Sequence, residues 1–265
     1  MRKVILLMLC AVSIFMFLSQ ISFSQEVTVD QIVEKANLVS YYAGENGKSD
    51  VKMTITDSQG RVRIREFRIL RLDVNDGGEQ KFYVYFKKPI DVAKMVFMVW
   101  KYLGKDDDRW LYLPALDLVS RIASSDKRTS FVGSHFVYED VSGRGIDVDT
   151  HELIDFNDKY YVIKNVPKDL NSVEFAFYTV WIDKSNFMPM KIEYYNEQGE
   201  LVRSVESLTV ENIQGNPTVT KSLAKDMVRG GETLNEFSNI EYSIGLTEDI
   251  FTERYLRRAP VKWMK

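Results

Sequence analysis

The chain has 265 residues, 45% of them hydrophobic and 28% charged, so it can bury a sizeable core and does not belong to the disordered class. Its formal charge is −3, and loss of Arg2 and Lys3 with the N-terminal segment takes it to −5, which argues against general nucleic-acid affinity. The single cysteine, Cys10, lies in that segment, so the rest of the chain has neither disulfides nor a thiol nucleophile.

Arg2 and Lys3 precede a mostly apolar run over residues 4–18, followed by a polar stretch with the small residues Ser22 and Ser24. This is the pattern of a signal peptide over residues 1–24, removed before Gln25. The run is shorter than the roughly 20 residues of a membrane-spanning helix. A retained N-terminal anchor is the alternative. Leu9 precedes Cys10 where a lipoprotein processing site requires a small residue. An exported, cysteine-free chain with no second long apolar run fits the bacterial periplasm, and residues 25–265, with no repeat or Pro/Ser-rich linker, read as one domain.

Thr28 and Gln31 have the spacing of a capping box, and Val29, Ile32, Val33, Ala36 and Val39 recur at helical spacing, predicting an amphipathic helix from Val29 to about Tyr42. From Lys48 the period changes to two: Val51, Met53 and Ile55 share one face. In the next strand Val62 and Ile64 give way to Phe67 and Ile69, a slip of one that a bulge near Arg65 and Glu66 would absorb. Residues 80–88 alternate with Phe82, Val84 and Phe86 together, whereas residues 94–103 are apolar on both faces. Such a strand needs cover on both sides or is exposed for a partner. Strands resume at His151 and continue to Tyr242, about eleven in all, joined mostly by short turns. A C-terminal helix is expected after Thr247 as N-cap, with Leu246 and Phe251 as hydrophobic staple. Such a meander bends into a curved sheet without crossover helices.

Between these two strand-rich halves, residues 109–141 leave regular alternation. They contain W-L-Y-L-P-A-L and, further on, S-F-V-G-S-H-F-V-Y-E-D-V. This stretch resembles the outer-membrane lipoprotein-sorting proteins of the LolA-like superfamily. The matching residues are Trp110, Tyr112, Leu113, Pro114, Arg121, Ser130, Phe131, Gly133, Ser134, Phe136, Tyr138, Glu139 and Asp140. The chain departs from the pattern at His135, where relatives commonly carry an acidic residue. The resemblance implies a curved, incomplete antiparallel β-barrel with helices in its mouth, an apolar cavity that accepts acyl chains, and a flap over residues 126–141. The cavity residues expected on that basis are Phe82, Val84, Phe86, Phe97, Trp110, Tyr112, Phe131, Phe136, Phe175 and Phe177. Arg121 and Glu139 are expected to latch the flap as an ion pair.

Other chemistry is weakly encoded. His135 and Glu139 with Asp140 would share a helix face, but the chain has only two histidines and no further ligand at recognisable spacing, so no metal site is expected. The run Asp106–Asp108 reads as a solvated turn rather than a calcium loop. Ser124, Ser125, Ser130 and Ser134 lack a nucleophile elbow, and no phosphate loop or dinucleotide fingerprint is present, so neither an enzyme nor a cofactor is expected. The expectation is a monomeric periplasmic carrier for the acyl chains of a lipid or lipoprotein, transferring them towards the outer membrane, with an inner-membrane lipid exporter as candidate partner. The rivals are an accessory or sensor module of such an exporter and, further off, a hydrolase acting on lipids or glycans.

Overall fold

Alternating side chains along most of the chain build strands. The structure, a computed structural model, describes residues 27–75 and 77–264, so the expected signal peptide lies outside the described residues. Helix α1 (Val29–Tyr41) begins at the expected capping box: the Gln31 N–H donates to Thr28 Oγ1 at 3.3 Å and the Thr28 N–H to Gln31 Oε1 at 3.1 Å. Strands β1 (Asn46–Asp57), β2 (Val62–Asp73), β3 (Gln80–Lys88), β4 (Val96–Lys101), β5 (Asp108–Leu113) and β6 (Leu118–Arg121) then follow one another outward. After a long connection come β7 (Asp149–Phe156), β8 (Tyr160–Pro167), β9 (Phe177–Asp183), β10 (Pro189–Tyr195), β11 (Leu201–Ile213), β12 (Asn216–Asp226) and β13 (Gly231–Tyr242).

All thirteen strands form one antiparallel curved sheet in the order β6-β5-β4-β3-β2-β1-β13-β12-β11-β10-β9-β8-β7. It is open, with β6 and β7 as its edges, and holds two strands more than the count of about eleven. Strands as short as the four-residue β6 carry little alternation to count by. The order has a direct consequence for the connection 122–148. Because β6 and β7 lie at opposite edges, this connection, the flap, must cross the sheet from one edge to the other. Within it lies the short helix α2 (Tyr138–Ser142).

The two faces of the first half of the sheet are covered by different segments. On the inner face Phe67, Phe86 and Phe97 surround Phe131 of the flap, with ring centroids 6.2, 5.9 and 5.5 Å away. On the outer face Leu70, Tyr83, Met98, Trp110 and Tyr112 pack under Leu246, Ile250, Phe251 and Leu256 of the C-terminal segment. That explains β4: Val96 and Met98 face out, Phe97 and Val99 face in, and each is at most 1% exposed. Each such side chain contributes roughly 1.5–3 kcal/mol on burial. The other half of the inner face receives α1, whose Ile32 and Ala36 pack on Ile163 and Ile182.

Two expectations are corrected. β1 and β2 pair without interruption from Asn46 opposite Leu72 to Thr56 opposite Val62. Arg63 and Arg65 therefore share the inner face with Phe67 and Ile69, while Val62 and Ile64 are exposed outside. A register shift is present close to the expected place, at Glu66 and Phe67, but it lies in the β2–β3 pairing with Lys87 as the extra residue on β3, so it does not exchange the faces of β2. From the inner face the exposed Arg63 donates through Nη2 to the Gly133 carbonyl of the flap at 3.2 Å. At the C-terminus a 3-10 turn (Glu248–Ile250) and two short helices, α3 (Glu253–Arg257) and α4 (Val261–Met264), replace the single helix, and the Thr247 hydroxyl bonds the Asp249 carboxylate rather than capping. In these tight turns the consecutive Ile250 and Phe251 both pack on the sheet.

Candidate binding cavity

Between the part of the inner face filled by the flap and the part filled by α1, the sheet keeps a cavity of about 450 Å³. Its roof is Val33, Ala36 and Val39 of α1 together with Phe131, Phe136 and Val141 of the flap. Its floor crosses the sheet from Val84 and Ile69 through Met53, Phe237 and Val205 to Ile192 and Val180. Ile69, Ile192, Val205, Val219 and Phe237 line the cavity and are only half-buried among the described residues. The size lies within the roughly 300–1,000 Å³ of small-ligand pockets.

At one end the cavity meets charge. Glu139 of α2, itself 4% exposed, receives Arg128 Nη1 at 3.1 Å and Arg144 Nη1 at 3.4 Å, with Lys127 Nζ 3.7 Å away. Arg128 is also bidentate to Glu174, at 2.7 and 3.1 Å, and Arg144 to Asp149, at 2.7 and 2.8 Å. Tyr178 donates to the same Asp149 at 2.7 Å. Arg203 of β11 reaches over to Asp140 and to the His135 carbonyl, and His135 in turn bonds Thr233 of β13 through both its N–H and Nδ1. The three guanidinium groups stand over aromatic rings: Arg128 over Phe175 and Tyr194 at 5.0 and 5.2 Å, Arg144 over Phe175 at 5.7 Å, Arg203 over Tyr194 at 4.9 Å.

Burial alone would ease the proton off Arg128, but Glu174 beside it holds the guanidinium well above its usual value, and burial raises the phenols of Tyr41, Tyr178 and Tyr194. This clasp ties the flap to β7, β11, β13 and the β8–β9 connection. Gly143 completes the closure on the helix side. It sits at φ +77°, and a Cβ there would fall 2.5 Å from the Tyr41 ring at the end of α1.

Three solved structures share this architecture. A DUF1329 family protein from Desulfovibrio piger ATCC 29098 is 28% identical, with 86% of this chain and 97% of that chain covered at a TM-score of 0.78. A protein from Vibrio parahaemolyticus described as an outer membrane lipoprotein-sorting protein domain is 27% identical, with the same coverage and TM-score. A LolA superfamily protein from Nitrosomonas europaea is 20% identical, covering 86% of this chain and 99% of that one at a TM-score of 0.67, a likeness of fold. The family model described as "-like: Uncharacterized protein" matches residues 78–258. The chain belongs to that family, and its fold is LolA-like. Among curated proteins no match is found.

The LolA-like fold sorts the expected cavity residues into four groups. Phe82, Val84, Phe131 and Phe136 line the cavity. Phe86 and Phe97 lie on the same face but are fully buried beneath Phe131, where they seat the flap rather than face the cavity. Phe175 is buried under the clasp, against Tyr194 at 4.9 Å. Trp110, Tyr112 and Phe177 are corrections. Trp110 and Tyr112 are on the outer face under the C-terminal segment. Phe177 is outside as well, stacked on Tyr195 at 4.8 Å, since Tyr178, Val180 and Ile182 take the inner positions of β9.

The Arg121–Glu139 latch is also replaced. Arg121 is largely exposed and pairs with Asp108 of β5, while Glu139 belongs to Arg128, Arg144 and Lys127. Asp107 is no solvated turn residue: its side chain is mostly buried against Arg109 at 2.5 Å, and burial raises its carboxyl. The serines of the flap serve turns, Ser130 Oγ donating to the Ser134 carbonyl at 2.6 Å. The residues that sequence reasoning missed are the half-buried Ile192, Val205, Val219 and Phe237. Each stands singly between polar neighbours, so no extended apolar face marked Ile192, Val205, Val219 or the lone aromatic Phe237 as part of a cavity.

Proposed function

We propose that the protein is a periplasmic carrier that holds the acyl part of a lipid or lipoprotein in the cavity and delivers it towards the outer membrane. The observation that carries this reading is the set of half-buried apolar residues, Ile69, Ile192, Val205, Val219 and Phe237, that line the cavity among the described residues. Burying about ten methylenes there would supply about 8 kcal/mol, enough for micromolar affinity. The likeness to the Vibrio parahaemolyticus lipoprotein-sorting domain supports the same reading. The residues assigned to it are Phe82, Val84, Phe131, Phe136, Ile192, Val205 and Phe237 as walls, with Arg128, Glu139 and Arg144 holding the flap. Binding, not catalysis, is the task, and one copy of the chain supplies every wall.

The test is detergent-free purification from a membrane-containing host, with bound lipid measured by native and denaturing mass spectrometry. Stoichiometric acylated ligand that Val205→Asp abolishes without unfolding the protein supports the carrier. Empty protein that also fails to take up added fatty acids or phospholipids would refute it and favour an exporter-associated module.

A further inference from the structure

A row of mostly polar side chains crosses the floor of the cavity. Ser207 stands opposite Ser222, Ser222 opposite Asn235, and Asn235 opposite Met53, so the row crosses β11, β12, β13 and β1 at a single level. All four residues line the cavity. The neighbouring row on one side is Val205, Ala224, Thr233 and Ile55, in which the Thr233 hydroxyl is already taken by His135. On the other side lie Phe237 and Val51. Val205 and Ala224 on one side and Phe237 and Val51 on the other thus flank the polar row with apolar side chains.

Ser207 is accounted for, since its hydroxyl donates to the Pro189 carbonyl at 2.9 Å. Asn235 is not. It is 7% exposed, and its Oδ1 is buried with no hydrogen-bond partner. Neither its amide nor the adjacent Ser222 hydroxyl makes a side-chain hydrogen bond among the described residues. Directly opposite residues on one face have Cβ atoms roughly 5 Å apart, so one ligand group can reach both. A buried amide left unpaired carries a desolvation penalty that an aliphatic residue there would not.

We infer that Asn235 and Ser222 read a polar group set within the apolar body of the ligand. That group both donates and accepts a hydrogen bond, as a hydroxyl or a secondary amide does. The inference rests on the carrier reading and narrows its ligand class to hydroxylated or amide-linked acyl chains. An unsubstituted chain would lay methylenes against Asn235, and an ester offers acceptors only. The asparagine amide supplies one acceptor and one donor whichever way round it sits, so a group with both functions satisfies it in either orientation.

The experiment is displacement of a fluorescent fatty-acid probe from the exported protein by two matched pairs: myristic against 3-hydroxymyristic acid, and stearic against 12-hydroxystearic acid. In at least one pair the hydroxy acid is expected to bind about tenfold more tightly, the usual scale for leaving a buried polar group unpaired. Asn235→Leu should remove that preference by strengthening binding of the plain acid, and Ser222→Ala should reduce it. Near-ultraviolet circular dichroism checks that the variants fold, and Ser222→Ala keeps the question decidable if Asn235→Leu does not. Equal affinities in both pairs, or a preference that both folded variants retain, overturn the inference while leaving the carrier standing. Failure of all four acids to displace the probe overturns the carrier reading and this inference with it.

Discussion

Glu139→Gln tests whether the clasp, rather than the sheet, holds the flap. The change keeps the shape of the side chain and removes the one charge shared by Arg128, Arg144 and Lys127, at 3.1, 3.4 and 3.7 Å. Removing one partner of a buried ion pair costs about 3–5 kcal/mol when the other is left uncompensated. Here the cations keep something: Arg128 retains Glu174, Arg144 retains Asp149, and Lys127 is 16% exposed at its side chain. The loss therefore falls at or below the lower end, about 2–3 kcal/mol, or a 30- to 150-fold larger opening constant. The sheet pairings do not involve Glu139, so the loss should appear as local opening. Hydrogen exchange followed by mass spectrometry should show faster exchange over residues 122–148 with β1–β3 and β11–β13 unchanged, and bound fatty acid should leave faster by a similar factor. Arg121→Ala, which removes a surface pair with Asp108 worth under about 1 kcal/mol and a contact over the Trp110 ring, both remote from the clasp, should leave both rates alone. Unchanged flap exchange in Glu139→Gln, or an equal effect from Arg121→Ala, would refute the argument.

Other consequences follow from the two faces and from Lys101. Burial lowers Lys101 to about 8 from 10.5, with its Nζ 2.7 Å from the Ser142 carbonyl. Between pH 8 and 10.5 the unfolded chain binds the additional proton, so this group makes stability rise with pH through that window, by about 3 kcal/mol at most. Above about pH 10 the raised phenols of Tyr41, Tyr178 and Tyr194 act the other way, because the unfolded chain loses those protons first. The urea midpoint should climb from pH 8 towards 10 and then fall, and Lys101→Met should abolish the climb; an identical profile in the variant would dismiss the assignment. Trp110→Ala should cost about 3–5 kcal/mol in urea melts yet leave fatty-acid affinity unchanged, since Trp110 packs on Trp100 under the C-terminal segment. Val205→Trp should do the reverse, filling the cavity and weakening binding with little loss of stability. Weakened binding in a folded Trp110→Ala variant would place that face in the site after all.

The α1 capping box, the succession of strands, the two-sided apolar β4 and the segment that leaves strand patterning were all legible in the residues, because each is set by neighbours a few positions apart. The thirty-residue stretch from Trp110 carried the resemblance to the LolA-like fold in the same local way. Which face looks inward was not legible. Period two divides Arg109, Trp110, Leu111 and Tyr112 into two sets, and choosing between them depends on the C-terminal segment about 140 residues later, which covers Trp110 and Tyr112. Phe177 was misplaced for the same reason, its set being outside while Tyr178 and Val180 face the cavity. The flap latch failed differently: Glu139 had several arginines within reach by charge alone, and the path of the flap from one sheet edge to the other brought Arg128 and Arg144 to it and left Arg121 at the rim. The polar row of Ser207, Ser222 and Asn235 exists only because three strands pair in one register. The sequence by itself determined the elements, through local periodicity and caps; only the tertiary structure decided the inside, the clasp and the cavity, because these rest on pairings between residues tens to hundreds of positions apart.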